Sequence, residues 1–288
     1  MKAAIVTDSN SGITQKQAEE AGIYVVPMPF MVDGETFYED LSLTREMFYE
    51  KQRTGADIST SQPSPADIMD LWSKLLTEYD QVVYIPMSSS LSSSCQTALV
   101  LAEDFEGKVF VVNNQRISVT QRQSVLEAKG LADKGMDGKE IKERLEAAKQ
   151  DSSIYITVDT LEYLKKGGRI TPAAALLGSF LRIKPVLTIQ GGKLDAFAKA
   201  RTMKQAKSMM ITAIKKDMEE RFGDPEGLYS TINVVHTDNE EAAMEFKQEL
   251  KELFPRTGEI YVDDLSLSIC CHVGPGTLAV TCTKNLEI

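Results

Sequence analysis

Six serines crowd a predicted junction between a strand and a helix. They lie in the segment IPMSSSLSSSCQTALVL, residues 85–101, and include Ser92 and Ser93. The first turn of a helix has unpaired N–H groups and a partial positive charge, and hydroxyls add further donors, so this junction suits a carboxylate or a phosphate. One serine acting as the helix cap, with the others solvated, explains the cluster about equally well. The position at the carboxyl end of a strand favours a ligand site.

A second polar segment, ISTSQPSP, precedes another predicted helix. Ser64 as the cap, Pro65 at the first helical position and Asp67 in the first turn account for the start of this helix. They do not account for Thr60 or for the two polar residues after it. These residues could face a ligand, although ordinary loop polarity is the more frequent reason for such residues.

His272 is one of two histidines, and a Gly-Pro-Gly sequence follows it closely. Such a sequence predicts a fixed turn that holds the imidazole in one place. A lone histidine before a turn is structural about as often as it is functional. The other histidine, His236, ends an apolar strand, and we expect it to be a structural residue.

Three further motifs have an architectural interpretation. DSNSG, after the first strand, predicts a turn in which Asp8 bonds the local backbone. LKKGGRIT predicts a helix that ends at two glycines, with Arg169 beyond the cap and free for other work. The four cysteines lack metal-ligand spacing, so we expect buried, reduced thiols and no metal site.

Strand and helix patterns alternate through the first half of the chain. The runs AAIVTDS, YVVPMPFMV, VVYIP and VFVVN each predict a strand, and helical segments follow them. This alternation predicts an α/β domain over residues 1–151, with a mostly parallel sheet covered by helices on both faces. Residues 152–288 predict a second, mixed-sheet α/β domain, which includes a hairpin around residues 190–192. We place the boundary in the polar stretch 150–152.

Composition excludes several functional classes. A net charge of −10 and a pI near 4.9 argue against a nucleic-acid surface. The N-terminus shows no secretion signal, and the apolar stretch AAALLGSFLRIKPVLTI is interrupted by charges and by proline, so we expect a cytoplasmic protein with no transmembrane segment.

Positive charge is concentrated in one part of the chain. Residues 161–207 contain ten basic and two acidic residues, whereas the rest contains 22 basic and 40 acidic residues. This stretch is either a docking surface for an acidic or nucleotide-bearing partner, or it pairs with acidic residues of the same molecule.

Taken together, the motifs resemble those of the DegV family, whose better understood members are the fatty-acid-binding subunits of bacterial fatty acid kinase. The matching segments follow the family's order over nearly the whole chain: DSNSG (8–12), TSQPSP (60–65), SSSLSSS (88–94), LKKGGRI (164–170), FLRIKPVLTI (180–189) and HVGPG (272–276). Each is weak alone, but the ordered set is specific.

The resemblance implies two α/β domains with one long-chain fatty acid between them. Thr60, Ser92 and His272 fall on the family's carboxylate contacts. Ser93 falls where the family usually has glycine, so we expect its backbone N–H to matter more than its hydroxyl. Arg169 falls on an arginine that engages the kinase. The implied protein is a carrier, not an enzyme, with no cofactor; its partners are an ATP-dependent kinase subunit and, further, an acyltransferase.

One segment departs from the family pattern. Where the family commonly reads D-S-x-x-x-S-x-G-x-G after the fourth strand, this chain has Asn113, Asn114, Ser118, Thr120 and Arg122, so two small positions have become larger. We expect the substitutions at Thr120 and Arg122 to change which acyl tail is held.

Two other functions remain open from the sequence alone. One is a serine hydrolase that uses a serine of the cluster, His272 and either Asp8 or Asp263, although no G-x-S-x-G elbow is present. The other is a lipid sensor without a kinase partner.

Overall fold

The computed structural model describes residues 1–39, 41–177 and 183–287. The strands are β1 (Ala3–Asp8), β2 (Tyr24–Val26), β3 (Pro29–Val32), β4 (Glu35–Tyr38), β5 (Ile58–Thr60), β6 (Gln81–Ile85), β7 (Val109–Val111), β8 (Ser152–Thr157), β9 (Lys184–Ile189), β10 (Asp195–Ala200), β11 (Ser230–Thr237), β12 (Tyr261–Asp264) and β13 (Thr277–Lys284).

Helices separate most of these strands. They are α1 (Gln15–Ala21), α2 (Arg45–Arg53), α3 (Pro65–Leu75), α4 (Ser94–Leu101), α5 (Val119–Asp133), α6 (Gly138–Ala147), α7 (Glu162–Gly167), α8 (Pro172–Leu177), α9 (Met203–Lys216), α10 (Glu240–Leu253) and α11 (Leu267–Val273). Short 3-10 turns cover Ser9–Ser11 and Ala102–Phe105, and a π-helical turn, Asp217–Arg221, continues α9.

The first half of the chain is built on a parallel four-stranded sheet. Its strand order is β2-β1-β6-β7, and every neighbouring pair is parallel. Apolar side chains of α3 and α4 cover one face, and those of α1, α5 and α6 cover the other. Burial on both faces explains the continuous apolar runs of these strands. The α/β prediction for this half is confirmed.

The second half is built on a mixed six-stranded sheet. Its order is β10-β9-β8-β13-β11-β12, in which only β11 and β12 are parallel. Helices α9 and α10 cover one face with apolar side chains. The opposite face contributes Ile154, Ile156, Leu187 and Val235 to a cluster shared with the first half. The predicted hairpin is present as β9 and β10, and the mixed-sheet prediction is confirmed.

Two elements differ from the sequence pattern. The run YVVPMPFMV predicts one strand, but the structure divides it into β2 and β3, and β3 lies in a separate antiparallel sheet with order β4-β3-β5. Pro27 and Pro29 have no N–H to donate to a continuing ladder, and the Met28 N–H donates instead to the Ser9 hydroxyl at 3.0 Å. Helix α11 is not predicted either, because LSICCHV is short and its cap makes no side-chain bond.

Three predicted local motifs are present. The Asp8 side chain accepts from the Asn10 N–H and caps the first 3-10 turn. Ser64 caps α3, with Pro65 in its first turn. Gly168 ends α7 in the left-handed region, at φ 69°. Each motif is local in sequence, which is why the sequence predicts it well.

The two halves of the chain are in contact with each other. The parallel sheet ends with β7, and the six-stranded sheet begins at Ser152. After β13 the chain returns to the first half, where the Leu286 N–H donates to Glu127 at 3.0 Å. A domain division at residues 151 and 152 therefore stays a prediction. Over the described ranges, no helix has the length and apolar character that crossing a membrane requires.

Candidate ligand site between the two sheets

A cavity of about 320 Å3 lies where the two halves meet. Its walls combine apolar side chains from both halves, among them Leu91, Ile117, Ile154, Ile189 and Val235. Polar residues from four segments are also in the wall: Thr60, Ser61, Gln62, Ser92, Ser93, Arg169 and His272. The cavity thus has an apolar body and a polar region, which is the usual composition of a site for an amphipathic small molecule.

Thr60 and His272 form the centre of the polar region. Thr60 is the last residue of β5 and His272 lies in the last turn of α11. The Thr60 Oγ1 and the His272 Nε2 share a hydrogen bond of 2.9 Å. Burial, and then the positive charge of Arg169, lowers the pKa of His272 to about 4. The imidazole is therefore neutral at pH 7, and the pair offers uncharged hydrogen-bonding groups.

Close packing with glycines fixes the position of this imidazole. A Cβ at Gly167 would lie 2.3 Å from the His272 Nδ1, so only glycine lets α7 approach the ring this closely. Gly274, at φ 72°, ends α11, and a Cβ there would lie 2.4 Å from the Tyr163 ring. The Gly-Pro-Gly sequence thus forms more than a turn. It ends α11 against α7, and this packing positions His272.

Ser92 and Ser93 lie just before α4. The Ser92 N–H donates to the Ser88 carbonyl at 3.1 Å, and the Ser92 hydroxyl accepts from the Ser94 N–H at 3.2 Å. This leaves the hydroxyl proton of Ser92 available to a ligand. The exposed Ser93 donates its hydroxyl to the Gln62 side chain at 3.3 Å. The structure therefore brings Thr60, Ser92, Ser93 and His272 to one cavity.

Arg169, which follows the cap of α7 as predicted, lies at the same cavity. Its Nε donates to the Leu91 carbonyl at 3.2 Å and its Nη1 donates to the Gly167 carbonyl. Among the described residues of the cavity wall, Arg169 is the only Asp, Glu, Lys or Arg. It supplies the formal positive charge of a polar region that is otherwise neutral.

Thr120 and Arg122 are not in the wall of this cavity. The Thr120 hydroxyl is buried behind Ile117 and donates to its carbonyl at 2.7 Å. Arg122 donates to the Gln17 side chain and lies 4.7 Å from the centre of the Tyr261 ring. The expectation that these two side chains shape the tail pocket directly is therefore not supported. Ser118, from the same segment, is in the wall.

Two polar residues of the wall were missed by sequence reasoning. Asn10 belongs to DSNSG, which predicts only a turn, although its position after the first strand is a typical ligand position. Ser268 lies on α11, and no sequence signal identified it because the helix itself was not predicted.

The described residues do not form the hydrolase relay that the sequence left open. Asp8 accepts hydrogen bonds from the Met87 and Asn10 N–H groups and from Gln121, and burial raises its pKa to about 6. Asp263 packs against Gly12, and burial raises its pKa to about 8. Neither carboxylate contacts His272, whose hydrogen-bond partner is Thr60. A serine, histidine and acid relay therefore does not form.

The basic stretch 161–207 pairs partly within the molecule. Lys166 pairs with Asp57, Lys184 with Asp159 and Lys207 with Glu249. These pairs agree with the intramolecular explanation for part of the charge. Within the matched segment FLRIKPVLTI, residues 180–182 lie outside the described residues. Searched across the described ranges, the chain has no group of three His, Cys, Asp or Glu side chains suited to a metal.

Comparison with known proteins agrees with this architecture. The model of the DegV family, whose members it describes as uncharacterised, matches residues 2–285. A DegV domain-containing protein of Deinococcus radiodurans is 30% identical over 282 residues, which cover 97% of this chain and 98% of that protein.

Two solved structures are also similar. A DegV family protein from Thermus thermophilus, described by its fatty acid binding, has a TM-score of 0.90 at 32% identity and covers 99% of this chain and 100% of its own. DegV of Bacillus subtilis, described as a fatty acid binding protein, has a TM-score of 0.86 at 28% identity with the same coverage. The resemblance of the motifs is confirmed, and the chain belongs to the DegV family.

Proposed function

We propose that the chain binds one long-chain fatty acid in the cavity between its two sheets. The observation that carries the proposal is the cavity itself, which has an apolar body and one region of hydroxyl, imidazole and guanidinium groups. Burial of about 14 methylenes at about 0.8 kcal/mol each contributes on the order of 11 kcal/mol before the costs of association. The similar proteins from T. thermophilus and B. subtilis are described as binding fatty acids.

The carboxylate contacts Thr60, Ser92, the Ser93 backbone N–H and His272 in this proposal. The Ser93 hydroxyl is already bonded to Gln62, so the N–H is the group that Ser93 has to offer. The neutral His272 shares its Nε2–H between the Thr60 hydroxyl and the carboxylate without adding a charge, and Arg169 supplies the positive charge nearby. Neutral donors backed by one cation can hold either a carboxylate or an acyl phosphate.

The chain then presents the carboxylate to a partner, an ATP-dependent kinase subunit that converts it to an acyl phosphate, with an acyltransferase as a later partner. Ser61 and Ser93 in the polar region are exposed, whereas the apolar wall is buried. A carboxylate placed there is close to solvent while the tail is enclosed. This protein acts as a carrier in the cytoplasm and the kinase supplies the catalysis. We further propose that Arg169 engages this kinase.

Binding of octadecanoate to delipidated protein tests the carboxylate contacts. The substitution Ser92→Ala removes a hydrogen bond to the carboxylate and should weaken binding by about 1.5 to 3 kcal/mol. Ser94→Ala is the matched control, because the Ser94 hydroxyl is buried without a partner in the described structure and lies outside the cavity wall. Equal effects of the two substitutions would remove Ser92 from the site.

The kinase role requires a separate experiment. Arg169→Glu should leave fatty acid uptake measurable and abolish acyl phosphate formation with the cognate kinase, because charge reversal removes the electrostatic complementarity. Lys16→Glu is a control of equal charge change, at an exposed residue outside both the cavity wall and the basic stretch 161–207. Normal phosphorylation of the Arg169→Glu protein would exclude the docking role, and no phosphorylation of the unaltered protein would favour a sensor without a kinase.

A further inference from the structure

A second polar patch interrupts the apolar body of the cavity. It consists of Asn10, from the turn after β1, Ser118, just before α5, and Ser268, on α11. All three are buried and all three are in the cavity wall. None of them belongs to the proposed carboxylate site. Buried polar side chains beside a hydrocarbon chain are unfavourable unless a hydrogen-bond partner is present.

The hydrogen bonds of this patch are incomplete. The Asn10 Oδ1 accepts from the Ser266 hydroxyl at 2.8 Å and from the Ser268 hydroxyl, so Asn10 fixes the direction of both serines. Each of these serine oxygens can still accept a hydrogen bond. The Ser118 hydroxyl has no hydrogen-bond partner within the described ranges and is enclosed by protein, so it meets a ligand in the cavity by rotation about its Cα–Cβ bond. The patch therefore retains one free hydroxyl donor and one oriented acceptor.

The backbone at Ser118 supports a specific role for this residue. Ser118 has φ 56° and ψ −142°, a combination that strongly favours glycine. Its N–H donates to the Asn10 carbonyl at 2.9 Å, which joins it to the rest of the patch. A strained non-glycine residue persists where the surrounding structure holds it, and such positions concentrate at ligand sites.

Helix α11 relates the patch to the carboxylate site. Ser268 and His272 are four residues apart and face the same cavity, so they are separated by about 6 Å along the helix axis. An extended chain of single bonds advances by about 1.2 Å per bond, so the patch begins roughly five bonds from the carboxyl group. It therefore lies beside the proximal or middle part of an acyl chain.

We infer that the cavity is adapted to an acyl chain with a hydroxyl substituent in its middle part, which donates to Ser268 and accepts from Ser118. This inference rests on the proposed fatty acid binding and specifies the class of ligand. A hydroxyl has one donor and can accept, so it matches the free groups of the patch. An unsubstituted chain leaves the same groups without partners, and sites of this kind discriminate against such analogues.

Competition binding to delipidated protein tests the inference. The probes are octadecanoate and its 3-hydroxy, 7-hydroxy and 10-hydroxy derivatives. We expect the 7-hydroxy or the 10-hydroxy acid to bind roughly three- to tenfold more tightly than octadecanoate, as one or two neutral hydrogen bonds allow. The 3-hydroxy acid should show no such preference, because its hydroxyl lies too close to the carboxylate.

Substitutions connect the preference to the patch. Ser118→Ala should abolish it while octadecanoate still binds, and Ser118→Gly, which also relieves the backbone strain, should do the same if the alanine variant folds poorly. Thr281→Val is the control, since it removes another buried hydroxyl without a described partner, outside the cavity wall.

Three outcomes overturn the inference. They are equal affinity for all four acids, a preference confined to the 3-hydroxy acid, and a preference that survives both Ser118 substitutions. Tight binding of octadecanoate with no hydroxyl preference contradicts only this inference. No binding of any acid contradicts the proposed function as well.

Discussion

The two histidines of the chain occupy opposite kinds of surroundings. His236, in β11, accepts from the Asn239 N–H at 3.4 Å and lies 3.8 Å from the Asp264 carboxylate. His272 has a hydroxyl partner, Thr60, and an arginine nearby, and it lines the cavity. Burial lowers the pKa of both rings. A lowered pKa therefore does not distinguish a ligand site from a structural position, whereas the open cavity beside His272 does.

The largest expected effect comes from the glycine that ends the helix of His272. Gly274→Ala should lower the free energy of unfolding by about 3 kcal/mol, because it adds a clash with Tyr163 to the strain of a positive φ. It should also abolish fatty acid binding. Urea unfolding and octadecanoate titration measure the two effects.

A matched glycine separates the clash from the strain. Gly223 also has a positive φ, 66°, but nothing lies within 4 Å of a Cβ placed there. Gly223→Ala should therefore cost only about 1 kcal/mol and leave binding intact. Equal destabilisation by the two substitutions would show that the packing of Tyr163 does not position His272.

The next effect contrasts the two histidines directly. His272→Ala should weaken octadecanoate binding by about 1.5 to 3 kcal/mol, since a hydrogen bond to a carboxylate is lost, with a small change in stability. His236→Ala should do the reverse, lowering stability while binding by the folded protein is preserved. Isothermal titration and thermal unfolding of both variants measure the contrast. Weaker binding in His236→Ala alone would reverse our assignment.

The smallest effect is a dependence of stability on pH. The pKa of His272 falls to about 4 in the folded protein, below its ordinary value, so the unfolded state binds more protons as pH falls from about 6.5 towards 4. The contribution of the neutral His272 ring to the free energy of unfolding is therefore complete above about pH 6.5 and is lost as the pH falls towards 4.

A substitution isolates this contribution from those of other titrating groups. Between pH 7 and 5, delipidated wild-type protein should lose about 1 kcal/mol more stability than His272→Gln, after allowance for partial exposure of the ring. Urea unfolding at the two pH values measures the difference. A parallel loss in both proteins would mean that His272 is not held in its neutral form.

The fold was predictable where its signals are local. The alternating strands and helices, the caps at Ser64 and Gly168 and the hairpin at residues 190–192 all follow from short patterns. The split of YVVPMPFMV was not predicted, although Pro27 and Pro29 are a local signal for it. Helix α11 was not predicted because it depends on packing between distant segments. The C-terminal end of helix α11 packs against α7, and no short pattern in LSICCHV records this contact.

The candidate site was predictable in its residues more than in its geometry. The motifs identified Thr60, Ser92, Ser93 and His272, which the structure brings to one cavity. They gave no reason to expect Arg169 beside the same cavity or Ser268 in its wall. Those placements arise from the approach of α7 and α11, which are more than 90 residues apart in sequence. The role of each residue in binding stays a prediction.

The most direct test of the central claim is the lipid content of freshly purified protein. Native mass spectrometry, followed by denaturing extraction and analysis of the released lipid, measures identity and stoichiometry together. The account predicts close to one fatty acid per chain, with an acyl length of roughly 14 to 20 carbons, because burial of that many methylenes supplies the affinity. Protein that carries no lipid and takes up no added fatty acid would contradict it.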